Sequence, residues 1–406
     1  MVSANKTPSG RLWTGNFVLA IGANFFISMV FYLLMTTMAQ YAVEQFSASD
    51  AAGGFASSAF ILGALIARVI VGKYLDFIGR RRLLLFALTG YVLVGLAYFV
   101  TTSVEWLWVV RFFHGAGFGA ANTSLGASVM MLLPPLRRGE GTGYFGISTT
   151  LAAAVGPGLA VTLIGGPGFD AVFVLAVASC FFALLAAFFL RLPERTVTDQ
   201  ERLDKHRWKL SDVLDPHALP ISVIIGLAGT AYATVLAFVN SFAQAEDFSM
   251  AGLFFLVYAV SMLLARLVLG RVQDYYGDNV VSYPTMVSFV LALVLLSFTQ
   301  TDWQLLLAGI LAGWGFGAMM PIFQTVAVTQ APDHRVAITT STFYIMLDIG
   351  TVAGPLLGGL LVTAWGYRGM YLAMAALMAV TVVVYHFVHG HKRYVRRLHY
   401  QADPQP

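Results

Sequence analysis

Charge is what this chain has least of: of 406 residues, 11% are Asp, Glu, Lys or Arg, against 58% hydrophobic. A soluble protein of that length needs more charge to cover its surface. Cysteine occurs once, at Cys180, inside the apolar run Phe173–Leu190. An internal disulfide and Cys-x-x-Cys metal spacing are both excluded, and Cys180 is expected to be a small buried or lipid-facing side chain. No G-x-x-x-x-G-K-[ST] loop is present, which argues against ATP as the drive. Intramembrane Ser/His sets, zinc-type His/Glu clusters and paired carboxylates are missing too. We therefore expect no catalytic residues, no metal and no cofactor. A cleavable signal peptide is not legible: the first apolar segment, Trp13 to Met38, is too long and lacks a small-residue cleavage site. The net charge of +4, spread over short loops, does not point to nucleic acid.

What is present is apolar length. The mean hydropathy is +0.76, and runs of about 20 residues recur, the length a lipid core of about 30 Å demands. Long apolar runs that must satisfy their own backbone in lipid are helices. Spans are expected near 14–38, 51–74, 83–101, 106–131, 142–165 and 170–191, then near 218–240, 250–271, 280–299, 303–328, 337–363 and 368–390. The fold class is an all-α membrane protein with twelve transmembrane helices in two six-helix bundles. The expected domains are 1–191, a linker at 192–217, a second bundle at 218–391 and a tail at 392–406. The linker holds Glu194, Arg195, Asp199, Glu201, Arg202, Asp204, Lys205, Arg207 and Lys209, a mixed-sign, solvated composition.

Orientation follows from Lys and Arg alone. With the N-terminus in the cytoplasm, Arg80–Arg82, Arg137–Arg138, Arg271, Arg335 and Lys392–Arg397 fall inside and only Arg368 falls outside. Both termini are thus expected in the cytoplasm, and the chain is expected to work as a monomer.

A second pattern is internal. Ala67-Arg68-Val69-Ile70-Val71-Gly72, with Asp76 and Gly79, reappears as Ala265-Arg266-Leu267-Val268-Leu269-Gly270, with Asp274 and Gly277. The offset of 198 also maps Gly115, Gly117, Phe118 and Gly119 onto Gly313, Gly315, Phe316 and Gly317, Gly156-Pro157 onto Gly354-Pro355, and Gly168 onto Gly366. A register held without insertion from 67 to 168 implies duplication. Parallel halves of six helices form an architecture that places a binding site between them near the midplane.

Gly72-Lys73-Tyr74-Leu75-Asp76-Phe77-Ile78-Gly79-Arg80-Arg81-Arg82 resembles the loop signature of the major facilitator superfamily between spans 2 and 3. Arg111-Phe112-Phe113-His114-Gly115 is similar to that superfamily's span-4 signature, with histidine where glutamine is more usual. Asp348-Ile349-Gly350 before Gly354-Pro355 resembles the bacterial drug/metabolite:proton antiporter branch. That branch's span-5 signature is incomplete here: Gly156-Pro157-Gly158-Leu159-Ala160 lacks the final paired glycines. The fuller form, Gly354-Pro355-Leu356-Leu357-Gly358-Gly359, sits in span 11.

Asp348 is expected about ten residues into span 11, while other carboxylates fall in loops, tails or span ends. A charge there is costly and usually lines a water path or relays protons, and burial disfavours ionisation, as a proton carrier needs. Direct substrate contact and a structural hydrogen bond are the alternatives. Arg111 is a buried cation that could hold an anion or repel a proton, or snorkel to the headgroups; the resemblance implies a part in proton transfer. His114, one turn on, could titrate or only hydrogen-bond. For gating, Gly72 permits close approach, and Asp76 could meet the positive N-terminus of span 11, with Asp274 doing so for span 5. Arg68 and Arg266 would anchor conformations, with substrate binding as the alternative, while Gly79, Arg80, Arg81 and Gly270 complete the loop signatures. Arg80 and Arg81 could equally serve topology alone. Gly156-Pro157 and Gly354-Pro355 are expected kinks. Candidates for the substrate cavity are Asn24, Tyr32, Asn122, Tyr144, Ser148, Tyr232, Asn240, Tyr258, Gln324 and Tyr344. Tyrosines can instead form interfacial belts, and Asn or Gln can join helices.

The reading these residues favour is proton-coupled efflux of a small amphiphilic drug or metabolite, its partners being that substrate, protons and the bilayer. An importer of a small polar solute is the alternative in the same fold, and a transport-inactive membrane sensor the alternative of another class. The energy source is expected to be the proton gradient.

Overall fold

The computed structural model describes residues 10–198, 209, 211 and 213–391. The linker residues Asp199, Glu201, Arg202, Asp204, Lys205 and Arg207 and the tail 392–406 lie outside the described residues. The helices are α1 (Gly15–Met35), α2 (Met38–Phe46), α3 (Asp50–Ile78), α4 (Arg80–Leu96), α5 (Val104–Leu132), α6 (Arg138–Gly165) and α7 (Phe169–Phe189), then α8 (Leu219–Ala245), α9 (Ala251–Tyr276), α10 (Asp278–Phe298), α11 (Asp302–Gln330) and α12 (Val336–Tyr385). No strand occurs among the described residues.

Among the described residues, ten segments are long and apolar enough to cross a membrane. α5 joins them as a 29-residue helix whose Arg111, His114 and glycines dilute its hydropathy. The 50-residue α12 is two passes, divided where Gly366 leaves helical geometry at φ 68°, ψ 178°. These passes make up the twelve-helix pattern. The first pass is itself interrupted: the Thr36 hydroxyl donates to the Tyr32 and Leu33 carbonyls, and the Thr37 hydroxyl to Leu33. Threonines that bond back onto their own helix bend it, and the chain restarts as α2.

The duplication is a duplication of backbone geometry. Every glycine with positive φ among the described residues belongs to a repeat pair, Gly79 (99°) with Gly277 (94°) and Gly168 (91°) with Gly366 (68°). Gly79 and Gly277 each end one helix and start the next, Gly168 precedes α7 and Gly366 divides α12, all in a conformation that L side chains rarely adopt. Packing repeats as well. A Cβ on Gly115 or Gly119 of α5 would collide with the backbone of Phe60 or Ala64 on α3, and one on Gly313 or Gly317 of α11 with Tyr258 or Met262 on α9. All four contacts are offset by the same 198 residues. Helices without a hydrophobic drive between them associate through such small-residue contacts.

The chain divides into two compact units. One comprises the chain up to Pro135, Tyr144–Leu219 and Val328–Ile345; the other comprises Leu136–Gly143, Pro220–Ala327 and the chain from Met346. The first turns of α6 therefore count with the second unit and the first turns of α12 with the first. Within the first unit the core includes Phe60, Tyr91, Tyr98, Leu125 and Phe173.

Backbone-to-backbone contact cannot be relieved by a rotamer change, so Gly115→Ala should cost about 1–3 kcal/mol. Gly22→Ala, where nothing lies within 4 Å of the added carbon, should be neutral or slightly stabilising. Thermal unfolding of the two variants in detergent, against wild type, checks the contrast.

Candidate functional site

Asp348 lies on α12, about 18 Å along the axis from Val336 at 1.5 Å per residue, deep within a lipid core of about 30 Å. Its side chain is partly buried. Two residues on, Gly350 packs directly on the Gly226 backbone of α8, which fixes this stretch of helix closely. Asp348 is not the most deeply buried acid. Asp215, Glu140 and Asp76 are more enclosed, at 0%, 6% and 8% side-chain exposure. All three sit against arginines, which offsets the cost of burial.

Arg111 is fully buried on α5. Its Nε donates to the Ala56 carbonyl at 3.0 Å, Nη1 to the Tyr98 hydroxyl at 3.5 Å and Nη2 to Met35 Sδ at 3.4 Å. The guanidinium also lies 4.5 Å from the Phe60 ring centroid. No carboxylate is among these contacts, so ring and carbonyl electrons carry the compensation. His114, also fully buried, has Nδ1 3.1 Å from the Tyr98 hydroxyl, its ring stacked on Tyr91 at 4.2 Å and Nε2 3.9 Å from Cys180 Sγ. Arg111 and His114 are thus one cluster, joined through Tyr98. Snorkelling of Arg111 is excluded by its burial.

The loop-signature residues form two different arrangements. In the second unit, Asp274 accepts from the Gly139 and Glu140 backbone N–H groups at 2.8 Å each, placing a carboxylate at the positive N-terminus of α6. Glu140 then pairs with Arg137 and Arg271 at 2.7 Å each. Gly270 packs so tightly on Gly139 that a Cβ on Gly139 would lie 2.7 Å from its carbonyl oxygen. Arg266 donates to the Gly317 carbonyl at 2.8 Å.

In the first unit the repeat partner, Asp76, does something else. It is taken up by Arg80 at 2.8 Å and Arg195 at 3.7 Å and does not cap span 11, contrary to the expectation from sequence. The physical reason is the nearby Arg80, which outcompetes a helix end for the carboxylate. The backbone N–H groups of Arg80 and Arg81 are capped in turn by Glu194 at 2.8 and 3.0 Å. Asp215 takes the place at the start of α12. It accepts from the Thr339 hydroxyl at 2.5 Å and lies 3.3 Å from Arg335 Nε, and its own N–H donates to the Thr342 hydroxyl at 2.8 Å. Arg68 donates to Asn122 and Thr123, both at 3.2 Å, lies over the Tyr344 ring at 4.7 Å, and lends its carbonyl to the Ser341 hydroxyl at 2.6 Å. A Cβ on Gly72 would meet Ser341 Cβ at 2.7 Å.

Of the cavity candidates, Asn24 donates to Ser148 at 2.8 Å and to Thr149 at 2.9 Å. Asn122 and Tyr344 gather on Arg68. Tyr232 and Tyr258 stack at 6.1 Å, with Phe316 at 3.9 Å from Tyr232. Tyr32 packs on Phe31 and Tyr144 on Trp13, Gln324 is buried and Asn240 is exposed. Neither glycine–proline pair interrupts its helix: α6 runs through Gly156-Pro157 and α12 through Gly354-Pro355. What these glycines visibly provide is approach, since a Cβ on Gly354 would lie 2.5 Å from the Thr230 carbonyl oxygen. Separately, the backbone of α12 leaves helical geometry at Gly366.

Sequence reasoning missed Tyr98, Asp215 and Glu140. Glu140 had a signal, an acid following Arg137-Arg138-Gly139 at a span start. Asp215, one acid among many in a polar linker, had none.

Twelve membrane-length helices, a duplicated loop signature and ionisable side chains held inside helices define an integral membrane transporter. Residues 20–279 and 221–399 match the family model described as Major Facilitator Superfamily, and the chain belongs to that family. It is a transporter and not an enzyme. Multidrug resistance protein MdtG of Dickeya zeae is 26% identical over 382 residues, covering 91% of this chain and 93% of that protein. The same-named protein of Enterobacter lignolyticus is 27% identical over 380 residues, covering 91% and 89%. Among solved structures, the human organic anion transporter MFSD10 (TETRAN) superposes with a TM-score of 0.77 at 16% identity, covering 91% of this chain and 98% of that one. The transporter FucP in the outward conformation does so at 0.75 and 14%, covering 93% and 99%. These two show the fold.

Burial disfavours a charged Asp215, but hydrogen bonds from Thr339 and His217 and the charge of Arg335 outweigh it and hold the carboxyl below the ordinary range. A depressed folded value means the stabilisation is complete above the unfolded value of about 3.9 and is lost as pH falls through the folded one. Asp215→Ala, which strands Arg335, should cost roughly 3 kcal/mol at neutral pH. The gap in melting temperature between wild type and variant should narrow below about pH 4, as thermal unfolding across pH would record.

Proposed function

We propose that this chain is a proton-coupled exporter of small amphiphilic drugs or metabolites, working by alternating access in a bacterial cytoplasmic membrane with both termini in the cytoplasm. The observation that carries the reading is Asp348, a partly buried carboxylate about 18 Å into α12 on a helix fixed against α8. Relatives along nine-tenths of the chain are multidrug resistance proteins, which supports efflux as the direction. The proton gradient supplies the energy, and protonation of Asp348 exchanges with substrate binding in each cycle. Removing that charge reduces the cost of moving the carboxyl within a low-dielectric interior.

The substrate is neutral or anionic more readily than cationic. Arg111 is a buried cation without a carboxylate contact, and α1 offers the amide and hydroxyls of Asn24 and Ser28 rather than an acid. Asn24, Ser148, Asn122, Tyr344, Tyr232, Tyr258 and Gln324 would supply polar and aromatic contacts, with Tyr32, Tyr144 and Asn240 as further candidates. The gate is the pair of helix starts held in the structure. Asp274, Glu140, Arg271, Gly270 and Arg266 hold the first turn of α6, and Arg68, Gly72, Asp76, Gly79, Arg80 and Arg81 act with Asp215 around α12. Contacts of this kind favour one state only because they are absent from the other.

Inside-out vesicles test the reading with a panel of fluorescent neutral and zwitterionic amphiphiles. An inside-acid gradient should drive accumulation of at least one of them, and Asp348→Asn should abolish that dependence. Accumulation driven only by the opposite gradient would mean import, and full gradient dependence in Asp348→Asn would remove Asp348 from coupling.

A further inference from the structure

The buried cluster on α5 has hydrogen-bonding capacities that permit one arrangement of protons. A guanidinium donates and never accepts, and Arg111 Nη1 points at the Tyr98 oxygen from 3.5 Å. Its charge repels a hydroxyl proton turned towards it. The Tyr98 hydroxyl must therefore donate the other way, to His114 Nδ1 at 3.1 Å. An imidazole nitrogen that accepts carries no proton, so the ring proton sits on Nε2. That nitrogen faces Cys180 Sγ at 3.9 Å, a weak acceptor for which an N–H is a suitable partner.

Every element packed on the ring agrees with a neutral His114. From α4 comes Tyr91, stacked on the ring at 4.2 Å and 23°, and from the turn after it Tyr98. α7 contributes Cys180, and α3 the edge of Phe60 at 6.1 Å. Among the described residues, the charged group near it is Arg111 on the same helix, and it is a cation. No carboxylate among the described residues reaches the ring to balance a second proton. A proton added at Nδ1 would meet the Tyr98 O–H head-on, leaving two adjacent cations in a lipid-embedded bundle.

We infer that Tyr98 is a positioning residue that locks His114 as the neutral Nε2–H tautomer, making His114 a fixed acceptor rather than a proton carrier. The inference deepens the proposed transport mechanism and rests on it for its meaning, because it leaves Asp348 as the group that carries the proton. Tyr98 would then serve Arg111 as well, by giving the guanidinium an oxygen that is always oriented to accept.

The test is 15N NMR of histidine-labelled full-length protein in detergent between pH 5 and 8, with the His114 signals assigned by their loss in His114→Asn. The expected result is a neutral Nε2–H pattern across the whole range. In Tyr98→Phe the tautomer ratio should move towards Nδ1–H by about five-fold or more, the loss of one hydrogen bond of ordinary strength. A purely packing role for Tyr98 would leave that ratio unchanged. A His114 that titrates in wild type, or that sits as Nδ1–H, would overturn the inference, and the wild-type spectrum decides this even where Tyr98→Phe fails to fold. The outcome is separable from that of the transport reading, because the tautomer is observed without substrate and the gradient dependence is read in vesicles.

Discussion

A lipid interior offers no water to pair with a stray donor, acceptor or charge, and most of what this chain does follows from that single condition. It forces the backbone into helices that close their own hydrogen bonds. It also removes the hydrophobic drive between those helices, so their contacts must come from fit. The glycines of α5 and α11 supply that fit, with a carbonyl or Cα of the neighbouring helix where a side chain would stand. Charges obey the same condition. Arg111 is fully buried within α5, where the Ala56 carbonyl, the Tyr98 hydroxyl and the Phe60 ring surround its guanidinium.

The features that a sequence displays best are those with a fixed spacing. Gly79 and Gly277, or Gly115 and Gly313, could be paired by their offset before any coordinates, and the structure adds the reason. The first pair holds a turn at positive φ, and the second clears a backbone crossing. Asp348 was legible for a related reason, since one acid in a long apolar run stands out without knowledge of its neighbours. The cap formed by Asp274 on α6 is a different case, since the acid is near the end of its own helix but the N–H groups it meets are more than 130 residues away in sequence.

What the sequence concealed is whatever depends on competition between partners. Asp76 and Asp274 occupy equivalent places in the repeat, yet Asp76 goes to Arg80 and Arg195 while Asp274 goes to backbone N–H groups. The two halves differ at the position four residues on, which is Arg80 after Asp76 and Asp278 after Asp274. Asp215 fills the place Asp76 leaves, from a linker whose composition suggested only solvation. Tyr98 was hidden for another reason. A tyrosine near the end of an apolar run reads as an interfacial residue, and nothing in its spacing reveals that its hydroxyl reaches both Arg111 and His114.

The asymmetry between the halves bears on how a proton can be used. Arg111 keeps its charge at all accessible pH, so it can shape the field in the first unit but cannot change state during a cycle. Asp348 can change state, and the position equivalent to it in the first half is Thr150, which cannot. A duplicated scaffold thus holds a constant charge on one side of the repeat and a switchable one on the other. A proton taken up at Asp348 would therefore change the charge of one half of the repeat alone. A symmetric pair of acids would titrate together and interact, which would blur the link between one proton and one conformational step. The glycine contacts between helices repeat, whereas Arg111 and Asp348 correspond to Gly309 and Thr150, so packing is common to both halves and these two charges are not.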